Sequence, residues 1–290
     1  MTETITVELG PVVLTVALHA GPRLLGYALP GGPQLFADLP DTVISHPAVG
    51  EYRLLGGHRL WRAPEDAAVT YVPDDDGVVV TPSDGGVDVV GPPDPEGVVK
   101  QITVRQRGDV TVVDHVLRNE GRDVVHTAPW AITQLAPGGT AVLPQPVGNA
   151  DTDGLLPNRH VVWWPYSDPR APELDEAVDA LSVHASLRPS KFKLGQPNRR
   201  GWLAYEKDGQ LFVKWAPVHR DADKYVDFDA SVQCYRDERF LELETLGPLV
   251  TLEPGDEVRH RELWALFELG DQPAAAKLAS LAAAPPEMEL

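Results

Sequence analysis

Apolar and polar residues alternate with a period of two along most of this chain, and turn residues interrupt the alternation at short intervals. Side chains two apart on a strand share a face, so this pattern predicts strands with one face toward a core. Residues 4–18 read as two strands broken at Gly10-Pro11, and two shorter strands follow among the glycines and prolines of residues 20–32. Asp75-Asp76-Gly77 sits between β-branched runs and predicts a hairpin; Arg107-Gly108-Asp109 and Lys207-Asp208-Gly209 predict two more. Further strands are expected at 124–139, 140–148, 232–236, 240–247, 249–254 and 258–269. Residues 40–65 mix aromatic and charged positions without a period and read as a long functional loop. Two helices are expected, at Pro172–Leu181, which opens on acidic residues, and at Pro273–Ala284.

The sum is fifteen or more strands and two short helices, with no βαβ alternation and no fixed repeat. Twenty-eight prolines and 25 glycines spread along the chain agree with so many turns. The expectation is one antiparallel, all-β domain over residues 1–290.

Within it, Leu241-Glu242-Leu243-Glu244 alternates strictly. Leu241 and Leu243 then face a core, while Glu242 and Glu244 face either open water or the floor of a ligand cleft.

Composition narrows the partners. The formal charge of −18, from 43 acidic and 25 basic residues, repels phosphate backbones and anionic lipid, which argues against nucleic-acid and membrane-surface roles. The single cysteine, Cys234, excludes an intrachain disulfide and any multi-cysteine metal site. No apolar run approaches the roughly 20 residues that span a bilayer, and residues 1–10 lack the basic start and apolar core of a signal peptide. A cytoplasmic location is expected, with the oligomeric state left open. Neither a phosphate loop nor a dinucleotide fingerprint nor a spaced metal-ligand motif occurs, so no cofactor or metal is expected. His260 and Glu262 share a strand face and read as a surface pair.

Four stretches carry a family resemblance. His19–Leu35, Leu117–Gln134, Leu241–Gly255 and Arg259–Phe267 together are similar to the galactose mutarotase-like superfamily, which includes the aldose 1-epimerases. A bacterial branch of that superfamily is resembled more closely, through Gly56-Gly57-His58-Arg59-Leu60-Trp61 with Ala63-Pro64-Glu65, through Pro129–Gln134, and through Glu242–Pro248. The resemblance implies an antiparallel β-supersandwich and a sugar or sugar derivative as ligand.

Mutarotation needs a base for the anomeric hydroxyl and an acid for the ring oxygen. The resemblance implies Glu244 as base. The epimerases' histidine has no counterpart in Pro129–Gln134, so His58, after two glycines and beside Arg59 and Trp61, is the candidate acid. Trp61 and Trp130 can stack on a pyranose face. Arg59, Arg62, Lys191 and Lys193 can bind an anionic group. Glu65, Gln134 and Glu242 complete the candidate ligand contacts, and of the adjacent Trp163 and Trp164 one can reach the cleft. An isomerase acting on an aldose or charged sugar, a non-catalytic carbohydrate-binding domain, and a lyase or hydrolase for uronate-containing sugars all fit this set.

Overall fold

The structure, a computed structural model, describes residues 2–219 and 225–288. Strands β1 (Thr4–Glu8), β2 (Val13–Ala17), β3 (Arg23–Ala28), β4 (Asp38–His46) and β5 (Gly50–Ala63) come first, then a one-turn helix α1 (Ala67–Thr70). Next are β6 (Val79–Ser83), β7 (Gly86–Pro93), β8 (Val98–Arg107), β9 (Val110–Asn119), β10 (Val125–Leu135) and β11 (Thr140–Pro144). The middle of the chain adds β12 (Val162–Trp163), β13 (Leu174–Glu176), β14 (Ala180–His184), β15 (Phe192–Gln196), β16 (Trp202–Lys207) and β17 (Gln210–Trp215). A single turn, α2 (Val226–Asp229), precedes β18 (Val232–Arg236), β19 (Leu241–Leu246), β20 (Val250–Leu252), β21 (Glu257–Glu268) and α3 (Ala274–Ala283).

These strands form two large antiparallel sheets, the supersandwich expected. One runs β1-β2-β3-β5-β10-β19-β18-β15-β12, with β4 and β20 attached to β5 and β10. The other runs β13-β14-β11-β16-β17-β21-β9-β8-β7-β6. Alternation assigns three apolar layers. Leu24, Leu60, Leu135, Leu241 and Leu243 of the first sheet meet Val104, Val113, Phe212 and Trp264 of the second. The opposite face of the first sheet carries Trp61, Trp130, Phe240 and Leu246. On the outside of the second, Trp202, Trp215 and Leu263 lie under Leu278 of α3.

Two predicted hairpins form as read, β8–β9 and β16–β17, the latter turning through Asp208 (φ 51°) and Gly209 (φ 74°), the left-handed pair such a turn requires. The hairpin expected at Asp75-Asp76-Gly77 does not form: α1 and a loop lead there, and the preceding Asp74 accepts from the Arg23 guanidinium at 2.8 Å.

Two further expectations are corrected. Residues 172–181 are not helical; they supply β13 and the start of β14, because Leu181 and Val183 are drawn into the core between the sheets and β14 pairs with β11. Tertiary burial overrides local propensity there. Residues 40–65 are not a loop but the β4–β5 pair. Their period is hidden because β5 is buried on both faces from Leu54 to Ala63, so polar residues occupy both.

Candidate functional site

The cleft lies on the outer face of the first sheet, and register builds its floor. Gln134 stands opposite Glu242, which stands opposite Tyr235, which stands opposite Lys193, across β10, β19, β18 and β15. One step along, Arg59, Ile132, Glu244 and Gln233 form a parallel row. The cavity above is about 610 Å³, a size ordinary for a small-molecule site.

Arg59, Trp61, Glu65, Trp130, Lys193 and Glu242 all line this cavity. Gln134 and Glu244 lie in the floor beneath it, both fully buried. Arg59 donates to Glu242 at 2.8 Å and Gln134 donates to the same oxygen at 3.0 Å. Trp130 Nε1 donates to Glu244 Oε2 at 2.7 Å, and Lys193 Nζ to that oxygen at 3.1 Å. Burial, ahead of the opposing pull of Arg59, raises the Glu242 carboxyl to about 7, with the neighbouring Glu244 adding to the rise.

His58 is elsewhere. Because β5 is a strand, His58 and Arg59 must point to opposite faces; Arg59 enters the cleft and His58 enters the space between the sheets. The expectation that His58 faces Glu244 across a sugar is therefore corrected: the β-sheet itself separates them. Gly56 and Gly57 do provide a close approach, since a Cβ at Gly57 would stand 2.1 Å from Leu24 O. They pack β5 on its neighbours and do not present the histidine to ligand.

Between the sheets His58 joins a closed polar layer whose hydrogen bonds fix every tautomer. His115 Nδ1 donates to His260 O at 2.9 Å, so its Nε2 accepts from His58 Nε2 at 2.7 Å. His58 Nδ1 then accepts from Thr133, which in turn accepts from Lys214. Lys214 also donates to Leu243 O and pairs with Glu262 at 2.7 Å. Glu262 is completed by Thr245 at 2.5 Å and Trp264 Nε1 at 2.7 Å, and His260 donates to Thr245. His260 and Glu262, expected on the surface, are thus buried, because β21 is central in its sheet. Burial, with mutual repulsion and the Lys214 charge, holds His58 well below the usual imidazole range; burial first also lowers His115, and lowers His260 to about 3.

His58, His115 and Glu262 bring metal-ligand atoms within 4.8 Å of one another. A cation there would meet the Lys214 ammonium. Two nitrogens on one zinc also stand roughly 3.3 Å apart, wider than the 2.7 Å observed.

Several cleft residues escape sequence reasoning. Tyr71, Tyr166, Tyr235, Arg239 and Phe240 line the cavity. Only strand register brings Tyr235 beside Glu242; its alternation with buried Cys234 was the available signal. Of the tryptophan pair, Trp164 lines the cavity while Trp163 packs on Phe192. Arg62, a candidate anion ligand, is held instead by Asp94 and Glu96.

No family model matches the chain. Its fold is nevertheless that of galactose mutarotase-like structures. A galactose mutarotase-like protein from Lactobacillus casei superposes with a TM-score of 0.59 at 11% identity, over 91% of this chain and 100% of that one. A provisionally assigned aldose 1-epimerase of Escherichia coli gives 0.57 at 12% identity, over 93% and 100%. A provisionally assigned mutarotase of Salmonella typhimurium gives 0.52 at 13%, over 92% and 91%. Among the described residues no helix is long and apolar enough to cross a membrane.

Proposed function

We propose that this protein binds a carbohydrate in the cleft, as a recognition domain without an epimerase's histidine acid. One observation carries the reading: Arg59, Glu65, Lys193 and Glu242 line the cleft among indole rings, over a floor of buried polar atoms that have no hydrogen-bond partner. They are Nε and Nη1 of Arg59 and the Oε1 atoms of Gln134, Gln233 and Glu244. Leaving such atoms unpaired costs about 1–3 kcal/mol each. Donors and acceptors are interspersed, and hydroxyl groups serve both. Indole rings beside them offer the flat, weakly polar surface on which sugar C–H faces pack. The mutarotase-like folds of similar shape support the same ligand class.

Epimerase chemistry is the second reading, favoured by the Glu242 carboxyl, raised to about 7 beside Glu244. A carboxyl raised toward neutral beside a second carboxylate can supply acid–base catalysis; in that reading Glu244 is the base and Glu242 the proton donor. A single experiment tests both. Thermal shift across neutral, acidic and phosphorylated aldoses, with NMR exchange spectroscopy of their anomers, is expected to give a shift without rate enhancement. Enhancement lost in Glu242→Gln would establish the isomerase; no shift with any sugar would refute carbohydrate binding.

A further inference from the structure

The cleft is longer than one sugar. In the first sheet, Trp61 on β5 and Trp164, directly after β12, stand on strands five spacings apart, and their side chains lean together until contacts connect them. Tyr71 and Trp61 have ring centroids 5.4 Å apart, and Trp61 and Trp130 5.5 Å. The Lys193 ammonium then lies 4.8 Å from the Trp130 ring and 4.7 Å from the Trp164 ring. Tyr71, Trp61, Trp130, Lys193 and Trp164 therefore form one track across the strands, and all five line the cavity. A six-membered ring built from bonds of roughly 1.5 Å is about 6 Å across with its hydroxyls, so one pyranose covers about a third of the track.

We infer that the ligand is an oligosaccharide of two or more pyranose units lying across the strands along this aromatic track. The inference rests on the carbohydrate reading above and specifies its substrate class. The floor atoms without partners lie in the middle of the track, on β5, β10, β18 and β19, and above them Arg59 and Glu242, which line the cavity, offer one unit hydrogen bonds. Units to either side have mainly rings to rest on. Tyr166, exposed at 48%, lies at the Trp164 end of the same cavity, where a chain leaving the cleft would pass. Lys193 fits the scheme because its ammonium, neutralised by Glu244 beneath, sits between the two indoles in cation–π contact with both.

Intrinsic tryptophan fluorescence titration tests this with glucose, galactose and glucuronate and with their di- and trisaccharides. Each added unit that meets a ring is expected to lower Kd about tenfold. Trp164→Ala is expected to abolish that dependence on length, and Tyr166→Ala, whose exposed side chain supports no core, to reduce it. If a monosaccharide binds as tightly as its trisaccharide, the oligosaccharide inference is overturned while the carbohydrate reading stands. If no sugar of any length binds, both fall.

Discussion

Acid should unfold this protein through the layer between its sheets. His58, His115 and His260 are buried and held neutral, so the folded protein resists protonating them, whereas in the unfolded chain each takes up a proton below about pH 6.5. The unfolded state then binds more protons, and stability falls as pH drops below that value. For His260, lowered to about 3, the loss is about 1.4 kcal/mol per pH unit over the whole interval between the two values. That is about 2 kcal/mol at pH 5, against a typical domain stability of about 5–15 kcal/mol, and His58 and His115, shifted in the same direction, add to the loss. Glu262, held below its usual range by Lys214 despite its burial, adds to the loss only in stronger acid. Urea unfolding followed by tryptophan fluorescence at intervals from pH 7.5 to 5 measures the slope. His260→Gln isolates one proton from all surface carboxylates, which cancel in the comparison. The variant's slope is expected to be shallower by about 1.4 kcal/mol per pH unit. Equal slopes in the two proteins would refute the assignment of neutral buried histidines.

Other perturbations address the cleft and the sheet beneath it. Glu244→Gln is expected to keep the fold by circular dichroism and to weaken sugar binding by about ten- to a hundredfold, the value of a charge-assisted hydrogen bond. Lys193→Met removes the cationic partner that the described residues place on a fully buried carboxylate; a loss of about 3 kcal/mol is expected in urea unfolding. Gly57→Ala places a Cβ against Leu24 O at a residue with φ of 70°, and a lower melting temperature is expected, corresponding to at least about 1 kcal/mol.

Strands with one face toward the core were legible because their alternation survives: Leu241 and Leu243 are fully buried between the sheets, and Glu242 and Glu244 point the other way. The strand β5 was not, because both of its faces are buried and both carry polar groups; without a period, residues 56–65 read as a loop free to aim His58 and Arg59 together. A strand forbids that, and one misassigned element moved the candidate acid to the wrong side of a sheet. Lys193 and Glu244 lie 51 residues apart and meet only because β18 stands between β15 and β19, a pairing no local pattern encodes. The segment 172–181 misled in the opposite way, its acidic start and spaced apolar residues fitting a helix that the core's demand for Leu181 and Val183 overrode.

The two faces of the first sheet carry polar layers of different kinds, and the difference separates structure from function. Thr133, His58 and Thr245 project inward from β10, β5 and β19, and with His115, His260, Glu262 and Lys214 they form a network in which no fully buried side-chain nitrogen or oxygen lacks a partner. Such a network fixes how the sheets stack and offers nothing to a ligand. Gln134, Arg59 and Glu244 project outward from the same strands, and each keeps at least one buried atom unpaired. Neighbouring positions on one strand thus differ in whether their hydrogen bonds are complete. A chain selected only for stability would complete both layers, since each unpaired buried atom costs free energy. Unpaired buried atoms also occur singly at Arg23, Gln145, Trp202, Gln210, Tyr225 and Arg236, but five such atoms among the described residues gather on the face that also bears the aromatic track, and that clustering is the strongest physical reason to place function there, and to read His58 as part of the scaffold.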